Sequence, residues 1–467
     1  MTTPINEMPS DRSELEQSPS FSDDSIATDW VERHWGEARF VPPWGAWYRY
    51  DEHVWRKDES LWVENTIRVV CREGAKEAMV AHGLEERSRA RTANDLRSFR
   101  KIRDVERMAR SDRTVASSVD QWDKDLDLLN TPTEEIDLCS GRIHPNNPMS
   151  FCSKTTAVGL GHDGLYEAND CPTWARFLDR IADGNADLVG YLARAVGYWL
   201  TGQTSEHAIF FLYGLGGNGK STFLETIKGI AGDYAHAAAV ATFTESPYER
   251  HPTDLAAMRG ARLVIANETE AGKRWNESLL KSLSGGDTVS ARFMRQDSFT
   301  YKPQFKLVFA GNHKPRLQNV DAAMRRRFHL IPFTKTIPSE ERDPDLPAKL
   351  KVEWSGILRW AVAGAIEWHT RGLDAPALVT SATDDYFEDE DRLGVWLSER
   401  TVSNPSAETQ SSQLFASYKG WCEAGGERYS SIKAFSTELQ DRGFKHGRDR
   451  RGSHFVGLEL VQRELPQ

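Results

Sequence analysis

The chain is poor in cysteine: Cys71, Cys139, Cys152, Cys171 and Cys422 are five in 467 residues, and no two form a CxxC pair. That scarcity excludes a disulfide-built scaffold. Cys139, His144, Cys152, His162 and Cys171 follow no zinc-ligand spacing, so scattered structural thiols are expected. No apolar run approaches the roughly 18 residues that a membrane span needs, and the N-terminus has no apolar signal core. A cytoplasmic protein without a membrane partner is therefore expected. An excess of base is missing too: 59 Lys+Arg stand against 69 Asp+Glu, a formal net charge of −10. Taken whole, that argues against a polyanionic partner. By segment it does not. Residues 1–30 hold seven acids and one base, and the run from Asp384 to Asp391 holds six acids and no base, so these stretches carry −6 each and the remainder is at +2. A balanced body with basic patches leaves a polyanion open.

The length implies two to four domains. Residues 1–29, rich in Ser, Pro, Asp and Glu, read as a disordered acidic tail. Aromatic-rich sequence begins at Trp30, and alternation from Gly45 to Trp55 predicts a small hairpin. Helical spacing runs from Ile67 to Met108 and again from Cys171 to Leu200. Boundaries are placed to give an accessory domain at 30–203, a second domain at 204–378, and an acidic junction with a last domain at 379–467.

The chemistry concentrates after residue 204. His207 to Tyr213 is a continuous apolar run of the kind a buried parallel strand shows, and it leads into Gly214-Leu-Gly216-Gly217-Asn218-Gly219-Lys220-Ser221-Thr222. This is a complete GxxxxGK[ST] with a strand before it and an amphipathic helix after it. Glycines let backbone N–H groups close around phosphates, Lys220 neutralises β/γ oxygens, and Ser221 offers a hydroxyl to Mg²⁺. ATP and Mg²⁺ are the expected cofactors. A second apolar strand, Arg262 to Asn267, expected beside the first, ends in Glu268-Thr-Glu270. Acids at that edge can hold Mg²⁺ and polarise water; Glu268 is assigned the water and the metal, Glu270 assistance to the metal. A third strand, Phe305 to Gly311, ends in Asn312, placed to sense a γ-phosphate. Arg325, Arg326 and Arg327 precede a fourth strand and could reach a γ-phosphate across a subunit boundary.

These elements, in this order, resemble superfamily 3 helicases of the AAA+ class. More narrowly, they are similar to the helicase half of the phage/plasmid primase–helicase family. Lys281-Ser-Leu-Ser-Gly285-Gly286-Asp287-Thr-Val-Ser-Ala-Arg292 matches the family signature that begins a pore hairpin gripping DNA. Cys171-Pro-Thr-Trp174, Gly197-Tyr198 and the segment Gly356 to Gly364 match its flanking regions, and Phe415 to Leu458 looks like its C-terminal winged helix. The resemblance implies an α/β AAA+ P-loop ATPase core, a mixed α+β accessory domain and a winged helix. It implies an ATP-driven replicative helicase that threads single-stranded or forked DNA as a homo-oligomeric ring, a hexamer. Lys281, Arg292, Arg295 and Lys302 would contact DNA at the pore, and Lys445, Arg448, Arg450 and Arg451 at the wing. Arg326 and Arg327 align as arginine fingers, with Arg325 where relatives carry Trp. The Asp-Glu pair common in relatives is here Asn267-Glu268. The stretch before Trp30 leaves no room for a primase–polymerase domain, so primer synthesis is not expected here and a separate primase or polymerase would complete the machine. The rival reading is an ATP-switched initiator or loader whose winged helix recognises an origin.

Overall fold

The structure, a computed structural model, describes residues 21–461 except 83–84, 162–163, 165, 168, 247–252, 268–272, 295–296, 318–321, 427–428, 430 and 451. A first module comprises a helix (Asp23–His34), a three-stranded antiparallel sheet (Ala38–Val41, Ala46–Tyr50, Trp55–Lys57) and three helices (Trp62–Val80, Glu86–Leu96, Phe99–Ala109). They close on a core that includes Trp30, Ile67, Cys71, Leu96 and Val105. The sheet contains the predicted hairpin. Two readings change. Helix begins at Asp23, inside the stretch expected to be disordered, because Ser22 caps it by accepting from the Ser25 N–H, Ile26 and Ala27 are buried, and Lys101 pairs with Asp23 at 2.5 Å. The predicted long helix is three, with Ser98 capping the last.

After a small sheet (Leu128–Asn130, Glu135–Asp137, Ile143–His144), the Cys171–Leu200 segment forms two helices, Pro172–Ile181 and α1 (Ala186–Leu200). The predicted boundary between residues 203 and 204 is not a break in the core. One apolar cluster runs from Leu129 through Phe210 and Phe223 to Val379. The reason lies in α1, buried along most of its length against α4, the later helix Trp354–Arg371. A Cβ on Gly197 would stand 2.1 Å from the Ala365 nitrogen, and one on Gly364 2.0 Å from the Ala193 carbonyl oxygen, so only glycines let these backbones touch.

The central sheet consists of β1 (Ile209–Tyr213), β2 (Ala235–Ala237), β3 (Leu263–Asn267), β4 (Lys306–Gly311) and β5 (Phe328–Pro332), all parallel in the order β5-β1-β4-β3-β2. Its strands are nearly continuous apolar runs, as expected for a sheet covered on both faces. Here the sequence reading needs correction: β3, which leads to Glu268, is not next to β1. β4 lies between them, with Ala310 level with Leu212 on one side and Asn267 on the other. Helices α2 (Lys220–Ala231) and α3 (Glu277–Gly285) follow β1 and β3.

The acidic stretch at Asp384–Asp391 is no open linker. Asp384–Glu390 close α5 (Ala377–Glu390), whose Val379, Tyr386 and Phe387 are buried, and Glu390 accepts from the Leu317 N–H at 3.0 Å. Asp391 caps the next helix and pairs with Arg442. The last module is a helix (Arg392–Arg400), a strand (Thr401–Gln410), two helices (Ser411–Ala424, Ile432–Asp441) and a hairpin (Lys445–Asp449, Gly452–Leu460). Its own core gathers Trp396, Leu414, Phe435 and Phe455. Among the described residues, no helix is long and apolar enough to cross a membrane.

Candidate functional site

The Gly214–Thr222 loop joins the C-terminal end of β1 to the N-terminus of α2. Gly214, Gly217 and Gly219 have φ of +153°, +75° and +84°, a region in which side chains are strained. A Cβ at Gly214 would stand 2.1 Å from the Phe333 carbonyl oxygen, one at Gly217 2.2 Å from the Arg342 guanidinium, and one at Gly219 2.6 Å from Ile181. The chain leaving β5 clasps the loop: the Asn218 amide donates to the Phe333 carbonyl at 2.6 Å, and the Ile337 N–H to the Gly217 carbonyl at 2.8 Å. Leu215, Gly216 and Gly217 stay exposed, and Gly216 has no atom within 4 Å of where a Cβ would stand. The result is a fixed, solvent-facing turn of main chain at a helix N-terminus, where N–H groups and the helix dipole favour anions.

Lys220, buried at 7% exposure, donates to the Gly214 carbonyl (2.5 Å), Asn218 Oδ1 (3.1 Å) and Asn312 Oδ1 (3.4 Å). Burial lowers its pKa from the ordinary lysine value. Asn312 reaches it because β4 is the neighbour of β1, which the sequence order does not reveal. Ser221 is exposed and Thr222 half-buried on the first turn of α2. β3 ends at Asn267, two strands from β1, about 10 Å at the usual strand spacing. Glu268 and Glu270 lie outside the described residues. Arg342 was missed by sequence reasoning; it follows β5 by ten positions, and no local motif announces it.

The arginines stand at the other edge. Phe328 pairs with Ile209 where the strands begin and Pro332 with Tyr213 where they end, a separation of about 13 Å. Arg326 is exposed, Arg327 donates to the Ala323 carbonyl at 2.8 Å, and Arg325 lies over the Phe387 ring and 3.8 Å from Asp384.

A second surface is formed by the hairpin Val289–Ala291 and Phe299–Tyr301, which follows α3. Arg292 and Lys302 flank it exposed, Lys281 is half-buried on α3, and Arg295 lies outside the described residues. Near its tip Met294 is 69% exposed, and Phe293 stacks on Phe299 with centroids 5.5 Å apart; these apolar tip residues were not foreseen. Arg259 sits between the Phe299 and Trp44 rings at 5.3 and 4.9 Å, tying the hairpin to the first module. In the last module Lys445, Arg448 and Arg450 are exposed on and beside the terminal hairpin, and Arg451 lies outside the described residues.

Fold and site together define a mixed α/β protein with a glycine loop at the end of a strand of a parallel five-stranded sheet. Residues 27–183 match the "D5 N terminal like" family, and residues 212–327 match a family of unknown function, DUF5906. A protein of Acanthamoeba polyphaga mimivirus named as a putative helicase is 25% identical over 380 residues, 73% of this chain and 39% of the relative, so the chain spans about two fifths of that relative's length. Two apo structures of the NrS-1 C-terminal region match at TM-scores of 0.52 and 0.51 with 9% and 10% identity, each over 94% of this chain and 100% and 99% of theirs. At that identity the likeness is one of fold. Taken together, these matches make the chain similar to the helicase half of phage primase–helicase proteins.

Proposed function

We propose that the chain is an ATP-driven replicative DNA helicase of a phage, plasmid or other mobile element, built on an AAA+ core and acting in the cytoplasm. The observation that carries the reading is Lys220, held at the mouth of a glycine loop by oxygens that include Asn312 from the adjacent strand. The loop fits a nucleotide: Phe333, Arg342 and Ile181 pack directly on Gly214, Gly217 and Gly219 and fix the turn, while the space beside Gly216 is open. Gly216, Gly217, Asn218 and Gly219 would cradle phosphates with main-chain N–H groups, and Lys220 would exchange amide oxygens for β/γ oxygens. Ser221 and Glu268 would hold Mg²⁺, with Glu268 or Glu270 polarising water and Asn312 orienting it. The metal would supply charge neutralisation at the phosphates.

Arg326 and Arg327, about 13 Å from their own loop along the strands, are suited to a neighbouring subunit's nucleotide. Arg326, exposed, would be the finger, and Arg327 would brace it. That arrangement requires a homo-oligomeric ring, a hexamer in the family's manner. Hydrolysis would move the hairpin of Arg292, Arg295 and Lys302, with Lys281 beneath it, along single-stranded DNA. The last module, with its helices and terminal hairpin, is read as a winged helix whose Lys445, Arg448, Arg450 and Arg451 lie along the backbone of forked DNA without reading sequence. A separate primase or polymerase would be its partner.

Unwinding of a forked duplex with ATP tests the reading. Wild type should displace the strand and Lys220→Ala should not; equal activity would overturn it. The separate core and exposed basic hairpin of the last module favour a second reading, an ATP-switched initiator or loader. Protection of one DNA sequence without strand displacement would support that one instead.

A further inference from the structure

Asp127, Cys139 and His369 come from three distant segments, and one donor atom from each lies within 4.8 Å of the other two. Asp127 immediately precedes the strand Leu128–Asn130, Cys139 follows the strand Glu135–Asp137, and His369 is in the last turn of α4. His369 Nε2 stands 3.2 Å from Cys139 Sγ and 3.2 Å from Asp127 Oδ1. A tetrahedral Zn²⁺, with ligand bonds of about 2.0–2.3 Å, separates its donors by about 3.3–3.6 Å, close to these spacings. Asp127 Oδ1 is buried and accepts no geometrically aligned hydrogen bond, its near neighbour being the His369 ring nitrogen, so a cation held among the three side chains would satisfy it. Its other oxygen, Oδ2, accepts from the Gln203 side-chain amide at 2.7 Å, which fixes the carboxylate's orientation as a supporting contact around a metal does. The Cys139 N–H donates to Asp137 Oδ1 at 2.8 Å and holds the turn that presents the thiol.

We infer that Asp127, Cys139 and His369 form a binding site for a divalent transition metal of the Zn²⁺ class. Thiolate and carboxylate together carry −2, which a dication neutralises. The sulfur donor selects against Mg²⁺ and Ca²⁺, and the mixed S, N, O set suits Zn²⁺. Water completes the fourth position on the exposed side of Cys139. The metal would staple the sheet preceding the ATPase core to the end of α4 and, through Gln203, to the connection entering β1. No spacing rule finds this site, because its ligands are 12 and 230 residues apart in sequence and meet only in the folded chain.

The test uses the full chain stripped of metal with a chelator, titrated with Zn²⁺ against a chromophoric competitor, and separately loaded with Co²⁺. One Zn²⁺ per chain is expected, with a rise in melting temperature and a thiolate-to-cobalt absorption band. Cys139→Ser and His369→Ala should each weaken Zn²⁺ binding at least about 100-fold and abolish the melting shift, while their metal-free melting matches metal-free wild type. His144→Ala, an exposed histidine on the same sheet, should bind as wild type does. Substoichiometric Zn²⁺ in the wild type, a Co²⁺ spectrum without a thiolate band, or unchanged affinity in Cys139→Ser would overturn the inference. None of these readouts depends on ATP hydrolysis.

Discussion

Two lysines are buried at opposite edges of the central sheet, and they are held differently. Lys306, 1% exposed at the start of β4, points its ammonium at the backbone carbonyls of Thr201, Gln203 and Gln304 and lies 4.9 Å from the Tyr198 ring. Lys220, at the far edge, has one backbone carbonyl and two side-chain amide oxygens, beside an exposed glycine loop. Burial lowers the pKa of both, most strongly for Lys306. A desolvated lysine is therefore not by itself a mark of function. Fixed carbonyls in a closed pocket make Lys306 a cross-link between β4 and the 201–203 connection. Side-chain amide oxygens beside open main chain give Lys220 a partly solvent-facing setting in which phosphate oxygens could replace them.

Substitution should separate the two edges. Lys220→Ala should lower ATP hydrolysis by at least about 1000-fold, as loss of a phosphate-binding cation does, while melting stays near that of wild type. Wild-type turnover in that variant would break the contrast. Lys306→Met should do the reverse: it leaves three buried carbonyls without their donor and should cost about 3 kcal/mol in denaturant unfolding, with ATPase per folded molecule retained. A stable Lys306→Met that had lost turnover would mean that this lysine, too, acts in chemistry.

Asn312→Ala sharpens the comparison at smaller cost. It removes one of the oxygens around Lys220 and should lower kcat about 10- to 100-fold with little change in KM for ATP. A rise in KM alone would make Asn312 a binding group only. A separate effect concerns pH and leaves the ATP loop untouched. His329, on β5, stacks between Tyr191 and Phe210, pairs through Nδ1 with the Tyr191 hydroxyl at 2.8 Å, and has its pKa pushed down to about 4 by burial. The folded state thus prefers the neutral ring. Its contribution is fully present above pH 6.5 and lost as pH falls toward 4, by about 2–3 kcal/mol. His329→Gln should flatten that part of the stability profile, and an unchanged profile would remove His329 as its source.

The strand–loop–helix around Lys220 was legible because each of its residues is dictated locally: an apolar run, glycines where φ is positive, and a lysine opening the helix. Strand adjacency was not legible, since pairing β4 between β1 and β3 is a tertiary choice; that choice brings Asn312 to Lys220. The acidic stretch near Asp384 misled for a related reason. Asp384, Asp385, Glu388 and Asp389 lie on the exposed face of α5, whose other face carries Tyr386 and Phe387 into the core, while Glu390 accepts from Leu317 and Asp391 takes Arg442. Lys306 and Arg342 carried no local signal; only the fold shows what encloses the first and that the second stands over Gly217.

The central claim is that the ATP site is completed by an arginine from a second subunit, because Arg326 lies at the wrong edge of the sheet for its own loop. Mixing Lys220→Ala with Arg326→Ala tests it most directly. Each variant alone should be inactive in DNA-stimulated ATP hydrolysis, and the mixture should recover activity at interfaces that pair an intact Lys220 with an intact Arg326. A mixture as inactive as its components would contradict the account.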